Sequence, residues 1–277
     1  MSQKTAIVTG SSSGFGLLIV LALAKKGFHV VATMRDPNKA GLLLDEAKKL
    51  NVLERIQIES LDVTLQESIT NFKLVIAELA SIDLLVNNAG KAMGGFCEEL
   101  SVEDYREQFE TNFFGVIAIT QAILPFMRAQ ASGRIINISS ISGRVGFPGL
   151  SPYTASKHAL EGFSESLRLE VKPFGIDVVL IEPGSYKTNI WTGMDQVNTT
   201  EKSPYYSFMT SLKNQIESEK PNHGDPEAVA RLVAQVASQK NTPDLRYPIG
   251  KGVKTNIHLK NLLPWKTLEA IILKKLL

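Results

Sequence analysis

The sequence is poor in cysteine, in net charge and in long apolar runs, and each shortage excludes a class of protein. A single cysteine, Cys97, allows no disulfide within the 277 residues. The net charge of +2 lacks the basic excess typical of nucleic-acid-binding proteins, so we expect no nucleic-acid partner. No run approaches the roughly 18 apolar residues of a transmembrane helix, and residues 1–4 do not resemble a signal peptide. These absences together predict a cytoplasmic protein.

Metal ligands are also scarce. The four histidines, His29, His158, His223 and His258, are scattered, and with one cysteine they give no spacing typical of a metal site. We therefore expect no bound metal. The composition, 44% hydrophobic and 21% charged, is typical of a folded domain with a large core.

Short apolar runs alternate with longer segments of helical period. The runs are near-continuously apolar, which is typical of parallel strands covered on both faces. Strands are predicted at about 6–9, 30–33, 55–58, 82–86, 134–138 and 177–181, and helices at about 16–30, 37–50, 64–80, 101–130, 153–173 and 225–238. This alternation predicts an α/β fold, a single-domain doubly wound parallel sheet with helices on both faces, over residues 1–250.

Two helix starts carry the spacing of a capping box. Thr64 is followed three residues later by Glu67, and Ser101 by Asp104. We expect each hydroxyl to cap the first turn of its helix.

Two segments fall outside the alternation. Residues 185–223 are rich in Thr, Ser, Lys and aromatics, and a loop of this length in a compact domain predicts a mobile lid. Residues 251–277 are predicted to form a helical C-terminal extension, apolar at helical spacing from 259 onward and with a basic edge. Contact with a membrane surface is open for this extension, but packing on the body or on a partner subunit is the expected outcome.

The first predicted strand ends in a glycine-rich turn, Gly10-Ser-Ser12-Ser13-Gly14-Phe-Gly16, directly before a helix. Glycines let the backbone approach a pyrophosphate, which the helix N-terminus then stabilises. The position between strand and helix therefore favours a dinucleotide site. Gly10-x-Ser12-x-Gly14 also fits the nucleophile elbow of a serine hydrolase. That alternative is disfavoured because an elbow on the first strand leaves no earlier strand loop for an oxyanion hole.

Tyr153 and Lys157 are four residues apart on a predicted helix and so share one face. Alone, they would more often be a surface tyrosine beside a solvated lysine. A phenol with its usual pKa of about 10 is a poor acid or base near neutrality, but an adjacent ammonium lowers that pKa. The pair is then suited to proton transfer to an alcohol or ketone. A serine after the preceding strand could donate to the same oxygen, and the candidates are Ser139, Ser140 and Ser142.

In order and position, these pieces resemble a short-chain dehydrogenase/reductase over about residues 4–190 and again near 225–250. The motifs are Thr9-Gly10-x-x-x-Gly14-x-Gly16, Asp62, Asn87-Asn88-Ala89-Gly90, Asn112, Ser140, Tyr153-x-x-x-Lys157, and Pro183-Gly184 with Thr188. The resemblance implies a Rossmann fold and a hydride-transferring oxidoreductase, similar to the branch that includes 17β-hydroxysteroid and retinol dehydrogenases. A 3-oxoacyl-type reductase of the same family is the alternative, although that type usually has a smaller lid.

The resemblance also implies residue roles. It selects Ser140 among the serines, and it implies that Asn112 opens its helix and holds a water that relays protons to Lys157. The implied cofactor-binding residues are Gly10, Ser12, Ser13, Gly14, Phe15, Gly16, Arg35, Asp62, Val63, Asn88, Ala89, Gly90, Tyr153, Lys157, Pro183, Gly184 and Thr188. From the residues alone, Asp62 could equally start a helix, and Asn87 or Asn88 could tie neighbouring strands.

The end of the second strand indicates which nicotinamide cofactor is used. NAD enzymes place an acid there for the ribose 2′-hydroxyl, but this chain has Met34 followed by Arg35, which can pair with a 2′-phosphate. Asp36 could neutralise Arg35 or contact a ribose itself, and Ser13 stands where some NADP-preferring relatives carry a basic residue. The sequence therefore predicts NADP(H), with NAD(H) as the alternative.

By resemblance, the substrate pocket is lined from 94–97, 141–150 and 185–223. Aromatic and aliphatic candidates in these stretches are Phe96, Val145, Phe147, Leu150, Tyr186 and Trp191. They predict an apolar, medium-to-large ketone or secondary alcohol, such as a steroid- or retinoid-like compound, or an aldehyde and primary alcohol. Relatives commonly pair through the helices at 101–130 and 153–173, so a homodimer or homotetramer is expected.

Overall fold

One parallel sheet organises the chain. The computed structural model describes residues 3–188, 190 and 201–276, so Trp191 lies outside the described residues. The strands are β1 (Thr5–Val8), β2 (His29–Met34), β3 (Ile56–Ser60), β4 (Leu84–Asn87), β5 (Gly133–Ile138), β6 (Ile176–Pro183) and β7 (Arg246–Ile249). Their order is β3-β2-β1-β4-β5-β6-β7, and every neighbouring pair is parallel. The order reverses between β1 and β4, which is where ligands bind in folds of this kind.

Helices connect the strands and continue beyond β7. They are α1 (Gly14–Lys25), α2 (Gly41–Lys49), α3 (Gln66–Ala77), α4 (Val102–Phe109), α5 (Gly115–Ala129), α6 (Ser151–Val171), α7 (Tyr206–Glu219), α8 (Glu227–Ala237), α9 (Val253–Leu262) and α10 (Trp265–Leu276). A π-helical turn, Glu110–Phe114, joins α4 to α5.

The two faces of the sheet bury separate apolar cores because side chains alternate along each strand. In β1, Ala6 and Val8 pack with α1, α2 and α8, whereas Ile7 packs with α3, α5 and α6. Both faces of the strand are therefore buried from solvent, which is why strands of this sheet appear in the sequence as continuous apolar runs. The predicted doubly wound fold is confirmed.

The helical stretch Val102–Ala129 is long and apolar enough, by length and composition alone, to cross a membrane. Its Ile119, Ile123 and Met127 are fully buried in the core that includes Ile135 of β5. Burial against a sheet accounts for the apolar character of this stretch.

One of the two predicted capping boxes is wrong. Ser101 and Asp104 form theirs, with the Asp104 N–H donating to Ser101 Oγ at 3.2 Å and the Ser101 N–H donating to Asp104 Oδ2 at 2.8 Å. Thr64 does not cap α3, which begins two residues later at Gln66. The Thr64 hydroxyl instead donates to Asp62 Oδ1 at 2.7 Å. Because the Thr64 hydroxyl bonds to the Asp62 carboxylate, it does not cap the helix.

The described part of 185–223 is not an irregular loop. Residues 206–219 form α7, whose Met209 and Leu212 are buried beside Phe96. Tyr205, Phe208 and Ile272 are half-buried against the same group. The helix was overlooked because its apolar residues lie within a polar stretch, although Met209 and Leu212 have helical spacing.

Candidate active site

The strand ends open into a cavity of about 580 Å³. All the predicted cofactor-binding residues except Gly16 line it, together with Ser140 and Tyr186. These residues are Gly10, Ser12, Ser13, Gly14, Phe15, Arg35, Asp62, Val63, Asn88, Ala89, Gly90, Ser140, Tyr153, Lys157, Pro183, Gly184, Tyr186 and Thr188. The predicted residues therefore come from six strand ends to one place.

The turn after β1 is packed too tightly to hold side chains. Gly10 has a left-handed φ of +69°, and a Cβ there would lie 2.8 Å from the Ala89 Cα. A Cβ on Gly16, which lies behind the cavity wall, would be 2.2 Å from the Gly10 carbonyl oxygen. Ser13 makes no side-chain cap on α1, and the first turn of α1 holds no acid. The positive end of the helix dipole thus faces the cavity with no acid in its own first turn, so the turn fits a pyrophosphate.

The two asparagines at the end of β4, Asn87 and Asn88, tie the sheet together. Asn88 Nδ2 donates to the carbonyls of Thr9 at 2.8 Å and Gly10 at 3.0 Å. Asn87 Nδ2 donates to Asn137 Oδ1 at 2.8 Å, bridging β4 and β5. Asn88 therefore has a structural role and also lines the cavity.

Asp62 combines the two roles that its position left open. Its Oδ1 accepts from the Thr64 N–H at 2.9 Å, which shapes the entry to α3. Its residue also lines the cavity beside Val63.

The end of β2 presents a cation to the cavity. Met34 is buried, while Arg35 is exposed and lines the cavity. Asp36, the residue that could have neutralised Arg35, turns to the following 3₁₀ turn and accepts from the Asn38 N–H at 3.1 Å. Asp36 is not among the cavity-lining residues.

Ser140, Tyr153 and Lys157 converge where β5 meets the start of α6. The Ser140 side chain is hydrogen-bonded to the Tyr153 phenol. Lys157 Nζ donates to the Ile138 carbonyl at 2.8 Å and lies 5.8 Å from the centre of the Tyr153 ring. All three residues line the cavity, so the phenol, the serine hydroxyl and the ammonium share one polar corner.

The pKa of Tyr153 moves in the direction opposite to the sequence-based expectation. Burial raises the pKa of Tyr153 to about 12, although the hydrogen bond from Ser140 opposes this. Burial also lowers the pKa of Lys157 to about 8, against the charge of Glu161. The ammonium was expected to lower the pKa of Tyr153, but burial of the phenol is the largest effect on it. At neutral pH the phenol is therefore protonated and placed to donate.

Asn112 lies in the π-helical turn Glu110–Phe114, so the helix is opened locally at this residue. Its Oδ1 accepts from the Lys91 N–H at 3.0 Å, and its Nδ2 donates to the Lys91 carbonyl at 2.9 Å and to Ser156 Oγ at 3.2 Å. Asn112 is buried and is not among the cavity-lining residues. Its amide fixes the chain around Lys91 against α6.

Two buried carboxylates, Glu161 and Glu182, lie near Ser139 and were not predicted from the sequence. Glu161 Oε2 accepts from Arg246 Nε at 2.9 Å. Glu182 Oε1 lies 3.1 Å from an Arg144 guanidinium nitrogen and 3.2 Å from Arg246 Nε. Burial, and then the charge of Glu161, raise the pKa of Glu182 to about 7, against the two arginines. Only Glu161 left a signal in the sequence, because it follows Lys157 by one helical turn.

The three stretches predicted to form the substrate pocket do meet. The Gly95 N–H donates to the Gly149 carbonyl at 2.9 Å, and a Cβ on Gly149 would lie 3.3 Å from Leu212 of α7. Of the individual side chains, Tyr186 lines the cavity described above, whereas Phe96, Val145, Phe147 and Leu150 do not.

Two of the predicted pocket residues have aromatic partners. Phe96 stacks on Tyr205 with ring centres 4.5 Å apart and lies 5.2 Å from Phe208. Tyr186 packs edge-on to Phe15 at 5.5 Å, at the glycine-turn end of the cavity. We call Phe96, Tyr205, Phe208, Met209, Leu212 and Ile272 the aromatic cluster.

Comparison with known proteins identifies the family. The family model described as short chain dehydrogenase matches residues 4–198. The uncharacterized oxidoreductase YusZ of Bacillus subtilis is 50% identical, over 100% of this chain and 99% of its own. The 3-ketodihydrosphingosine reductase of Bacteroides thetaiotaomicron is 36% identical, over 88% and 87%. A crystal structure of a short-chain dehydrogenase from Streptomyces avermitilis has a TM-score of 0.80 and 34% identity, over 99% and 96%. The chain therefore belongs to the short-chain dehydrogenase/reductase family and is an oxidoreductase of that family.

Proposed function

We propose that this protein is an NADP(H)-preferring reductase of apolar ketones, and that it also runs in reverse on secondary alcohols. The observation that carries the cofactor preference is the pair at the end of β2. Met34 offers no acceptor for a ribose hydroxyl, whereas Arg35 lines the cavity as a cation. A guanidinium and a phosphate form charge-assisted paired hydrogen bonds. Because the Asp36 carboxylate accepts from the Asn38 N–H, it does not neutralise Arg35, which can then bind the 2′-phosphate.

The polar corner supports the chemistry. The bound nicotinamide would supply the hydride, and the chain would handle the proton. Tyr153 would donate its proton to the carbonyl oxygen, since its pKa of about 12 keeps it protonated. Ser140 would donate a second hydrogen bond to the same oxygen and stabilise the developing charge. Lys157 would stabilise the phenolate that remains, and Asn112 would hold the adjoining backbone in place for proton relay.

The substrate we favour is apolar and of medium-to-large size, similar to a steroid or retinoid. The aromatic cluster supports this, because Phe96 packs against Met209 and Leu212 of α7 and so makes an apolar contact next to the site, although none of the three lines the cavity. The relative named for reduction of 3-ketodihydrosphingosine supports reduction of a ketone. An aldehyde and primary alcohol are the same chemistry with one substituent fewer.

Two alternatives predict different substrates. A 3-oxoacyl-type reductase would use the same polar corner with an acyl thioester. A serine hydrolase would use Ser12, but no histidine is present among the cavity-lining residues of the described chain to act as its base. The geometry therefore favours the reductase.

The test is the loss of NADPH or NADH absorbance with matched substrates. The panel contains a steroid ketone, a retinoid aldehyde, a long-chain ketone, a 3-oxoacyl thioester and a short ketone, with an ester added for hydrolysis. We expect higher kcat/KM with NADPH than with NADH, and with the large apolar ketones than with the short one. Turnover of the thioester alone, or of the ester without cofactor, would overturn the proposal.

We also propose that the enzyme pairs through α4, α5 and α6. Val102 on α4, Phe114 in the π-helical turn before α5 and Leu169 on α6 are exposed large apolar side chains, which an interface would bury. Light scattering after gel filtration measures the mass directly. A monomer at micromolar concentration would contradict this assembly.

A further inference from the structure

The C-terminal helices α9 and α10 carry apolar side chains that the rest of the protein leaves uncovered. Leu259, Leu262, Trp265 and Ile271 are 40%, 65%, 60% and 46% exposed. Leu259 and Leu262 have i,i+3 spacing, and Trp265 opens the next helix three residues later. We call these four residues the C-terminal apolar surface.

Other residues of α9 and α10 pack the two helices on the rest of the protein, so the C-terminal apolar surface is not used in that packing. Val253 at the start of α9 is buried, and the Lys260 ammonium donates to the Arg144 carbonyl. Ile272 of α10 packs against the buried residues of the aromatic cluster, Phe96, Met209 and Leu212. The helices are therefore held in place by one side while Leu262 and Trp265 remain outside.

This segment also concentrates positive charge. Residues 251–277 contain six lysines and only one acid, Glu269, whereas the whole chain has a net charge of +2. The lysines are Lys251, Lys254, Lys260, Lys266, Lys274 and Lys275. The remaining 250 residues consequently carry a net negative charge. Of the six, Lys254, Lys266 and Lys274 are exposed on the same two helices as the apolar surface.

We propose that the C-terminal apolar surface docks on an anionic lipid bilayer. Helices with an exposed apolar stripe and flanking lysines bind in the headgroup layer, where apolar burial and attraction to anionic lipid act together. Trp265 suits this layer because its ring is apolar and its N–H is polar. Leu262 and Trp265 insert, and Lys254 and Lys266, which flank them on the two helices, contact the headgroups.

A second copy of this chain is a poorer occupant of the surface. A two-fold dimer would bring the same patch to itself, so lysines would face lysines with one acid, Glu269, to offset them. A bilayer offers the opposite charge and an apolar layer at once. The proposal does not depend on the substrate, because lipid binding is measured without turnover.

Flotation of the full chain with vesicles tests the proposal. We compare phosphatidylcholine vesicles with vesicles that also contain phosphatidylserine, at low and high salt. Binding is expected only with phosphatidylserine and should weaken with salt. Lys254→Gln with Lys266→Gln should reduce the partition coefficient by about 25-fold, since each lysine near an anionic surface contributes about fivefold. Leu262→Gln with Trp265→Gln should reduce it by at least about tenfold.

Matched controls come from α3, where Lys73 and Leu74 are exposed. Lys73→Gln with Leu74→Gln should leave vesicle binding unchanged. Binding to neither vesicle, or binding that the C-terminal variants do not alter, would overturn the proposal. A mass in gel filtration that falls when Leu262 and Trp265 are replaced would also overturn it, because the surface would then be an interface between copies.

Discussion

The carboxylate of Glu161 accepts a hydrogen bond of 2.5 Å from the hydroxyl of Ser139, the residue directly before Ser140. Glu161 lies one helical turn beyond Lys157 on α6, and its charge raises the pKa of that lysine against burial. One acid therefore links the strand end that carries Ser140 to the helix that carries Lys157.

Glu161→Gln should shift the pH dependence of ketone reduction. In the native enzyme, kcat/KM should fall as pH rises through about 8, where Lys157 loses its proton. Without the carboxylate the pKa of Lys157 falls, so the alkaline limb of the pH profile, where kcat/KM declines, should move to lower pH. Initial rates measured across pH at saturating NADPH report the limb.

The control for this prediction is Glu165→Gln, because Glu165 also pairs with Arg246 but is half exposed. Its limb should stay in place. If Glu161→Gln lowers kcat with an unmoved limb, Glu161 only supports the structure.

Tyr153→Phe should lower kcat by at least about 10²-fold, since the variant removes the proton donor. NADPH binding, followed by cofactor fluorescence, should change little because the ring stays. Tyr105→Phe is the matched control: its hydroxyl is 2.6 Å from Ser151 Oγ, and it does not line the cavity. Near-native reduction by Tyr153→Phe would remove the tyrosine from the mechanism.

Arg35→Ala should raise the KM for NADPH by about 10- to 100-fold, the usual effect of losing a charged hydrogen bond. The KM for NADH should change by less than about twofold, since NADH lacks the 2′-phosphate. Lys39→Ala removes an exposed cation four residues away and should affect neither cofactor. Equal damage to both cofactors would show that Arg35 does not recognise the phosphate.

The central strands were predictable from the sequence, whereas the edge strand β7 was not. Ile7 and Val8 are buried on opposite faces of β1, so the sequence shows an apolar run. In β7, Arg246–Ile249, every residue is only partly buried and one is proline. The other edge strand, β3, keeps Ile56 and Ile58 and was predicted, so β7 was missed because Arg246 and Pro248 interrupt its apolar signal. Arg246 gains its role from partners far away in the chain.

Site residues that are close in the sequence were predictable, whereas those brought together only by folding were not. Tyr153 and Lys157 are neighbours on one helix, so their spacing reveals them. Arg246 and Glu161 are 85 residues apart, and only folding brings them to 2.9 Å. The pKa of Tyr153 depends on how deeply the ring is buried, which spacing does not report.

The stability of Glu182→Gln should increasingly exceed that of the native chain as pH rises. The folded pKa of Glu182 is about 7, above its ordinary value of 4.5. The protonated acid is therefore favoured in the fold, and stability is lost as pH rises from about 4.5 through 7. The variant should match the native Tm at pH 5 and exceed it at pH 8, by roughly 2–4 °C for each kcal/mol of destabilisation removed. Glu227→Gln, at an exposed pair with Arg231, should show no such trend.

The last prediction concerns α7, the described part of the expected lid. Only Met209 and Leu212 of this helix are buried, so its amides should exchange faster than those of α6 and slower than those of an irregular loop. Bound NADPH with a large apolar ketone should slow the exchange further, if the segment closes over the site. Hydrogen exchange followed by mass spectrometry resolves the two helices.

Phe96→Ala tests what holds α7 in place. The substitution removes the ring that stacks on Tyr205 at 4.5 Å and packs with Met209 and Leu212. Exchange over 206–219 should then rise by at least about tenfold, while exchange in α6 stays unchanged. KM should increase more for a large apolar ketone than for a small one. Tyr206→Ala, on the exposed side of the same helix, is the control and should do neither. If Phe96→Ala speeds exchange in α7 but raises KM equally for large and small ketones, the aromatic cluster has only a structural role and does not bind substrate.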